Sequence, residues 1–494
     1  DRIMDRKRRL MENNNGWPLR NQLFDGAPIA LPLTHTVIGR GGLTPSFTRA
    51  TTGTIQDNEG VLRTAIAGEA RFTGARRVEN LIRLGAAQSS TLAIGASVTM
   101  TLPAGTYIFS QGVSVGTATF SGTGGATGTL AASASVRTSV VKTITAGTLI
   151  VTGSVAILTD IQVENITGRT DQTTPSEYVS VGVLSSPYHG AGVDGVKYFD
   201  TDLSGNPIAA STLKGYLAEP AATNLCLQSA DLGTTWTNNN TTESTNATTA
   251  PDGTTTADKL IEAATNTSHT IHNTVAGTSG VYTTSVYLKA AERTWAYITE
   301  GNSVTATAYF NLANGVVGTV NGTGSPSSKI VDVGGGWYRC SMTFTAGANA
   351  NIQIGTSTGD TISTFLGDIT KGIYVWGAQL ELGSAATSYI PTTTVAVARN
   401  ADVESVTTSG AILAAGGTIS LTYVPYHSPS GTIALWGTYV DASNYTAILH
   451  DATNLIFRKR IAGVNYDATI ANAFTSGTTY KMAASWGSGG STIY

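Results

Sequence analysis

Charged side chains are scarce in this chain of 494 residues. Asp, Glu, Lys and Arg make up 12% of the sequence, and the net charge is only -3. Globular proteins usually carry about 25% charged residues, so neither solubility nor specificity depends on charge here. The near-neutral balance argues against nucleic acid or an anionic membrane as the main partner. Disorder is not expected either, because β-branched and aromatic residues recur at short intervals.

Cysteine is nearly absent, with Cys226 and Cys340 the only two. Two cysteines in so long a chain form neither a disulfide framework nor a four-ligand zinc site, and we expect two free, buried thiols. Long apolar runs are missing as well. No segment reaches the length needed to cross a bilayer, so membrane insertion is not expected.

Sequence signatures of catalysis are also missing. No G-x-S-x-G run leads from a predicted strand into a predicted helix, and the six histidines are scattered along the chain. A nucleophilic triad therefore has no support from spacing. Carboxylates are too few and too scattered to assign a pair for glycoside hydrolysis. We predict no enzyme activity and no cofactor.

One segment is a weak candidate for a metal site. Asp200, Asp202 and Ser204 place oxygen atoms at alternate positions before a glycine, as the first half of a calcium loop does. The twelfth position of that loop is Ser211 rather than Glu. We therefore prefer an ordinary Asp/Gly turn before the next strand, and no metal is assigned.

What the sequence does contain is a motif pair that occurs twice. An opening motif ends in Asn-Leu at 80–81 and again at 224–225, and a closing motif reads Gln-Val-Glu at 162–164 and Gln-Leu-Glu at 379–381. Segments of β type lie between each opening and closing motif. Two related modules in tandem favour a binding surface over a single buried reaction pocket. We interpret Asn224 and Glu381 as brackets that join the two ends of the second module by hydrogen bonds.

Short strands separated by Gly-rich turns, with no long helical pattern, predict an all-β fold of tandem antiparallel β-sandwiches of jelly-roll type. An extended N-terminal arm with a short basic helix is expected to precede them. The predicted boundaries are residues 1–48 for the arm, 49–182 for the first sandwich, 183–214 for a connector, 215–385 for the second sandwich, 386–410 for a linker and 411–494 for an incomplete third sandwich.

Several motifs follow one another in order between residues 217 and 403. They are Glu219 with Ala222-Thr223-Asn224-Leu225, Trp236-Thr237, APDGTTTADKL at 250–260, SVYLKA at 285–290, GWYRC at 336–340, WGAQLE at 376–381 and TSYIPTT at 387–393. Together they resemble the carbohydrate-binding-module-like β-sandwich of tail fibres and other structural proteins of tailed bacteriophages. Residues 411–494 resemble a concanavalin-A/laminin-G-like sandwich, which often follows such a module.

The resemblance implies a virion appendage, such as a tail fibre or tailspike, that is made in the host bacterial cytoplasm and attaches to host surface glycans. The arm would bind other virion proteins of the tail, baseplate, portal or capsid, with Arg2, Arg6, Lys7, Arg8 and Arg9 as the attachment residues. Low charge and long Gly/Thr-rich strand edges favour oligomerisation, since such edges need cover. For a virion appendage we expect a homotrimer. The alternatives are a capsid-attached head fibre or decoration protein, and the non-catalytic part of a polysaccharide depolymerase tailspike.

Strand alternation singles out aromatic residues that could stack against a sugar ring. Trp337 and Tyr287 fall on the polar faces of their strands, and a flat ring there presents apolar area to the C–H face of a sugar. Trp295 and Tyr297 alternate similarly. The alternative interpretation is that these four rings seal a contact with a neighbouring module or subunit.

Overall fold

The computed structural model describes residues 33, 34, 36, 45–84, 93, 95–113, 116–153, 158–182, 190–301, 306–323, 325–347, 349–406, 415–425 and 432–494. Strands hold 54% of the described residues and helices 2%, which confirms the predicted all-β class with antiparallel sheets. The chain divides into two compact units, residues 1–382 with 386–407 and residues 408–494 with 383–385. The predicted basic helix, with Arg2, Arg6, Lys7, Arg8 and Arg9, lies outside the described residues.

The strands of the described chain alternate between a small hub and a sandwich. The first hub strands are β1 (Ser46–Thr48), β2 (Gly53–Gln56), β3 (Leu62–Ala65), β4 (Phe72–Thr73) and β5 (Arg76–Glu79). A 3-10 helix, Leu81–Leu84, leads into the first sandwich. Its strands are β6 (Ser97–Leu102), β7 (Gly105–Gln111), β8 (Ala118–Gly122), β9 (Gly128–Leu130), β10 (Thr138–Ile144), β11 (Gly147–Gly153) and β12 (Gln162–Asn165).

The chain then returns to the hub and leaves it again. The hub strands are β13 (Val196–Phe199), β14 (Gly215–Tyr216) and β15 (Ala222–Asn224). A one-turn helix, α1 (Leu232–Thr235), precedes the second sandwich. Its strands are β16 (Thr237–Asn239), β17 (Thr241–Thr248), β18 (Ala257–Glu262), β19 (Asn266–Thr267), β20 (Thr270–Ala276), β21 (Gly280–Ala290), β22 (Trp295–Glu300), β23 (Ala306–Asn311), β24 (Val316–Asn321), β25 (Ser327–Gly334), β26 (Trp337–Ala346), β27 (Asn349–Ser357), β28 (Phe365–Leu366) and β29 (Gly372–Leu382).

Two further hub strands and the second unit complete the described chain. The hub strands are β30 (Val397–Arg399) and β31 (Val403–Ser405). The strands of the second unit are β32 (Gly417–Tyr423), β33 (Ile433–Asp441), β34 (Asn444–His450), β35 (Asn454–Ile461), β36 (Val464–Ala471), β37 (Tyr480–Gly487) and β38 (Gly490–Ile493).

The first sandwich packs a three-stranded sheet, β10-β7-β12, against a four-stranded sheet, β6-β11-β8-β9. Strand β6 shows why the two sheets pack together. Apolar and polar residues alternate in its sequence SVTMTL, and Val98, Met100 and Leu102 are buried while the intervening residues are exposed. Phe109 and Phe120 stack in the core with ring centroids 4.4 Å apart. The apolar period of two therefore builds this module as predicted.

The second sandwich is larger and pairs two six-stranded sheets, β16-β20-β27-β22-β23-β24 and β17-β18-β29-β21-β26-β25. Its core takes alternate residues from both sheets. Members that are at most 1% exposed include Val286, Ile298, Phe310, Cys340, Met342, Phe344, Ile354 and Val375. Strand alternation thus assigns the core face of β21 and β26 correctly.

A β-bulge changes the alternation of β29. Tyr287 of β21 is opposite Trp376 and Ser285 is opposite Gln379, so one extra residue of β29 is accommodated between these pairs. Gly377 supplies the turn with φ 64°, a left-handed conformation that favours glycine. Trp376 consequently lies in a different cluster from Leu380, whereas uniform alternation places both on one face.

The second unit packs a three-stranded sheet, β32-β37-β38, against a four-stranded sheet, β33-β34-β35-β36. Its core contains Ile448, Phe457 and Met482. Val464 and Tyr466 on the outer strand β36 are more than half exposed. The three-stranded sheet therefore covers only part of its partner.

We define the hub as residues 45–80, 190–224 and 397–406. It consists of five antiparallel pairs, β1–β31, β2–β3, β4–β14, β5–β13 and β15–β30. Its apolar core includes Phe72 and Tyr198, whose rings meet edge to face at 5.3 Å. Parts of the predicted connector and linker, and the start of the predicted first sandwich, therefore belong to one structured body. The sequence order hides this, because paired strands come from stretches up to 359 residues apart.

A buried ion cluster joins the three stretches of the hub. Asp402 accepts hydrogen bonds from Arg49 at 2.7 Å and from Arg71, and Glu219 accepts one from Arg71 at 2.8 Å. Arg399 lies 3.4 Å from Glu219 and 3.5 Å from Asp402. Side-chain exposure is 7% or less throughout. Each ion of the cluster therefore has an oppositely charged partner inside the hub, as a buried ion requires, and the three arginines outnumber the two carboxylates.

Candidate functional site

Two of the predicted sugar-binding aromatics are closed to a ligand. Tyr287 is 2% exposed and Trp337 is 3% exposed, and both belong to an aromatic cluster with Trp376 and Tyr389. The Tyr287 ring meets the Trp376 ring at 5.4 Å, and Trp337 donates its indole N–H to the Thr249 carbonyl at 3.0 Å. Their face is predicted correctly, but the expectation that it is open does not hold because the hub covers it.

The covering contact is a seam between the hub and the second sandwich. Leu62 of β3 packs on the aromatic cluster and donates its backbone N–H to the Pro251 carbonyl at 2.9 Å. Thr54 donates its hydroxyl to the Tyr389 carbonyl at 2.7 Å, and Gln56 donates to the Val333 carbonyl at 2.9 Å. For Tyr287 and Trp337 the structure therefore matches the alternative interpretation, a sealed contact between modules.

Trp295 and Tyr297 lie on the outer face of the other six-stranded sheet. Tyr297 is 3% exposed and leans on Tyr309 at a centroid distance of 5.6 Å, and burial raises the pKa of its phenol. It is therefore not an open platform. Trp295 is half-buried beside Gly318, where an added Cβ would lie 2.8 Å from the indole ring. Of the four predicted rings, only Trp295 keeps appreciable exposure.

The weak calcium candidate is a hydrogen-bonded turn. Asp202 accepts from the backbone N–H groups of Ser204 and Asn206 at 2.9 Å each, and the Asn206 side chain donates to its second oxygen at 3.1 Å. These bonds lower the pKa of Asp202, and the bond from the Asn206 backbone N–H has the largest effect. Among the described residues no group of three or more His, Cys, Asp or Glu side chains has metal-binding geometry.

A large open groove runs along the exposed side of the seam. Its volume is about 720 Å³, within the range usual for small-ligand sites. Hub strands β2 and β3 form one wall, and the second sandwich forms the other wall and the floor. The lining residues are Thr54, Leu62, Arg63, Thr64, Gln228, Ala230, Asp231, Gly233, Thr234, Thr245, Asn246, Asp252, Thr254, Thr256, Asp258, Trp376, Tyr389, Pro391, Thr392 and Thr393.

The floor of the groove is held in place by hydrogen bonds to its aromatic rings. Trp376 donates its indole N–H to the Thr256 hydroxyl at 3.1 Å. The hydroxyls of Tyr389 and Ser229 lie 2.6 Å apart, and burial raises the pKa of Tyr389. Both rings are 3% exposed, so they hold the floor in place, and the hydroxyl and amide groups around the rim supply the chemistry that recognises a polyhydroxylated ligand.

Asp258 is the most buried carboxylate of the groove, at 2% exposure. Its two oxygens accept the backbone N–H groups of Leu232 and Asn246, each at 2.9 Å. Burial, together with the nearby charges of Asp231 and Glu243, raises the pKa of Asp258 despite these bonds. Asp258 therefore fixes the chain around α1, which shapes the groove wall.

The sequence did not predict the groove, although one of its motifs supplies part of the lining. The APDGTTTADKL motif supplies Asp252, Thr254, Thr256 and Asp258, and the sequence marks it only as part of a resemblance. The opposite wall comes from β2 and β3, nearly 200 residues earlier in the chain. No local pattern reports that such distant segments meet.

No protein-family model and no curated protein matches the sequence significantly. The likeness to phage virion modules thus stays a prediction from the motifs. Among the described residues, no helix has the length and apolarity needed to span a membrane.

Proposed function

We propose that the chain is a structural protein of a tailed-bacteriophage virion, a tail fibre or similar appendage that attaches to host surface glycans. The ordered motifs between residues 217 and 403 support this proposal. Tandem sandwiches rooted in one hub also suit a projecting, load-bearing part. The N-terminal arm would bind the particle, and three copies would assemble into a homotrimer.

The observation that carries glycan attachment is the groove beside the aromatic cluster. It is open, it has a volume of about 720 Å³, and threonine hydroxyls and carboxylates dominate its lining. Such groups exchange hydrogen bonds with sugar hydroxyls. Trp376 and Tyr389 are each 3% exposed, so they support the floor from below. Binding at one groove would be weak, and several copies on one particle would strengthen attachment through avidity.

A groove-filling variant tests the proposal. Thr234 lines the groove on α1, whereas its exposed neighbour Thr235 does not. On a glycan array, Thr234→Trp should abolish the binding that the unmodified chain shows, and Thr235→Trp should keep it. Equal binding by both variants would remove the groove from the proposed function. Release of shortened oligosaccharides during incubation would instead support a depolymerase tailspike.

The place of the protein on the particle requires a second experiment. Virions decorated with an antibody against residues 415–494 and viewed by electron microscopy should carry the label on the tail. Label on the head would favour the capsid-attached alternative. The mass of the purified chain in solution, measured by light scattering, should correspond to three copies.

A further inference from the structure

The groove carries an uneven set of charges. Three of its lining residues are carboxylates, Asp231, Asp252 and Asp258, and one is a cation, Arg63. The Arg63 guanidinium already donates to Asp57 at 2.7 Å and to the Thr167 carbonyl at 2.6 Å. Its charge is therefore balanced by a neighbour, and the carboxylates set the sign of the local potential.

The two more exposed carboxylates are fixed in position by their own turns. Asp231 accepts the Gly233 backbone N–H at 3.0 Å and the Thr234 hydroxyl at 2.6 Å. Asp252 accepts the backbone N–H and hydroxyl of Thr254, at 2.9 and 2.6 Å. These short local bonds therefore hold both carboxylates in fixed positions where they border the groove.

We propose that the groove selects neutral oligosaccharides and excludes those that carry carboxylate, sulfate or phosphate groups. The inference rests on the proposed function and names the class of glycan. A neutral sugar donates its hydroxyl hydrogens to fixed carboxylate oxygens, which are acceptors only. An acidic sugar brings a like charge into a concave site with protein on both sides, where repulsion is stronger than in open water.

A matched pair of ligand panels tests the selectivity. Full-length chain is titrated with neutral hexasaccharides of glucose, galactose and mannose, and with hexamers of the corresponding uronic acids. At about 10 mM salt, where charges act over about 30 Å, the acidic hexamers should bind at least about tenfold more weakly than their neutral counterparts. At about 1 M salt the ratio should shrink, because screening removes the repulsion.

Charge-removing variants show whether the groove carboxylates cause the selectivity. The double variant Asp231→Asn with Asp252→Asn keeps side chains that can still cap their turns, and it should bring the acidic-to-neutral ratio to within about threefold. Asp441→Asn is the matched control, since Asp441 accepts the backbone N–H of Ser443 at 2.7 Å in a similar exposed turn outside the groove. The control should leave the ratio unchanged.

The outcomes separate the two proposals. Acidic hexamers that bind as tightly as neutral ones, with binding still lost in Thr234→Trp, would overturn the selectivity and leave glycan attachment at the groove intact. An unchanged ratio in the double variant would also overturn it. If neither panel binds at all, glycan attachment itself fails and the selectivity fails with it.

Discussion

Asn80 and Asn224 make the same four hydrogen bonds at the roots of two different sandwiches. The Asn80 amide donates to the carbonyls of Ile161 and Val179, at 2.9 and 3.0 Å. The Asn224 amide donates to the carbonyls of Ala378 and Ile390, at 3.1 and 2.8 Å. Each Asn carbonyl oxygen accepts from the residue two positions later and from the closing strand.

The closing motifs complete the correspondence. Gln162 donates to Glu164 at 2.8 Å and accepts from the Val179 backbone N–H at 2.7 Å. Gln379 donates to Glu381 at 2.7 Å and accepts from the Ile390 backbone N–H at 2.8 Å. We call each set of Asn, Gln and Glu a latch. The latches show that the duplicated motifs keep the ends of a module together, whatever number of strands lies between.

Loss of the second latch should destabilise the first unit. Asn224→Ala leaves two buried carbonyls and two buried N–H groups without hydrogen-bond partners. We therefore expect a loss of about 3–5 kcal/mol in the free energy of unfolding. Urea denaturation followed by tryptophan fluorescence measures it. Asn321→Ala, at an exposed position of β24, is the control and should cost less than about 0.5 kcal/mol. Equal losses would mean that the latch is dispensable.

The bulge in β29 predicts a second sensitive position. In Gly377→Ala the new methyl group would lie 2.8 Å from the Tyr287 ring, on a backbone with φ 64°. Left-handed strain and overpacking together should cost about 2–4 kcal/mol. Gly205→Ala separates the two effects, since Gly205 has φ 82° and open space around it. Thermal melts that shift equally in both variants would contradict the packing argument.

The same bulge shows which features of the fold the sequence pattern does not predict. Alternation in β21 and β26 correctly predicts that Met342 is core and that Trp337 faces away, because a regular strand has a period of two. It fails along β29, since one extra residue at Gly377 reverses the faces. Alternation also cannot predict that Leu62 of the hub packs on the aromatic cluster that contains Trp337. The sandwiches and the latch motifs follow from local pattern, whereas the hub and the groove depend on contacts between distant stretches.

The ion cluster of the hub predicts a dependence of stability on pH. Burial alone would raise the pKa of Glu219, but Arg71 and Arg399 more than offset it and hold the pKa below its ordinary value of 4.5. The contribution of Glu219 is therefore complete above about pH 4.5 and is lost as the pH falls through its lower folded-state pKa. Glu219→Gln should destabilise the chain at pH 7 and flatten the stability profile on the acid side.

Glu404 of β31 should change the stability with pH in the opposite direction, and it serves as the comparison for Glu219. Burial raises its pKa to about 7, so its contribution to stability is complete below its ordinary pKa and is lost as the pH rises through about 7. Glu404→Gln should thus flatten the profile on the neutral side only. Calorimetric unfolding between pH 3 and pH 8 distinguishes the two variants, and profiles that change on the same side would refute this assignment.

Burial of Trp337 predicts that its removal harms folding and not recognition. Trp337→Ala should lower the free energy of unfolding by about 3–5 kcal/mol. At a temperature where the variant is folded, its glycan affinity should stay within about twofold of the unmodified chain. Trp295→Ala, at the half-buried ring of the opposite sheet, should also leave affinity unchanged. A tenfold drop in Trp295→Ala would move the glycan site from the groove to that face.

The two thiols offer a direct measure of how firmly the second latch is closed. Both are fully buried, and burial raises the pKa of Cys226 to about 12 and that of Cys340 well above its ordinary value. Since the thiolate is the reactive form, neither should react with a disulfide reagent at pH 8 until guanidinium unfolds the chain.

A Cys340→Ala background leaves Cys226 as the one thiol whose labelling is measured. Its backbone N–H donates to Asn224 at 3.0 Å, so Asn224→Ala should speed its labelling at urea concentrations too low for global unfolding. If Asn224→Ala labels no faster than Asn321→Ala in that background, the latch opens only with the whole unit, and its hydrogen bonds act globally rather than as a local closure.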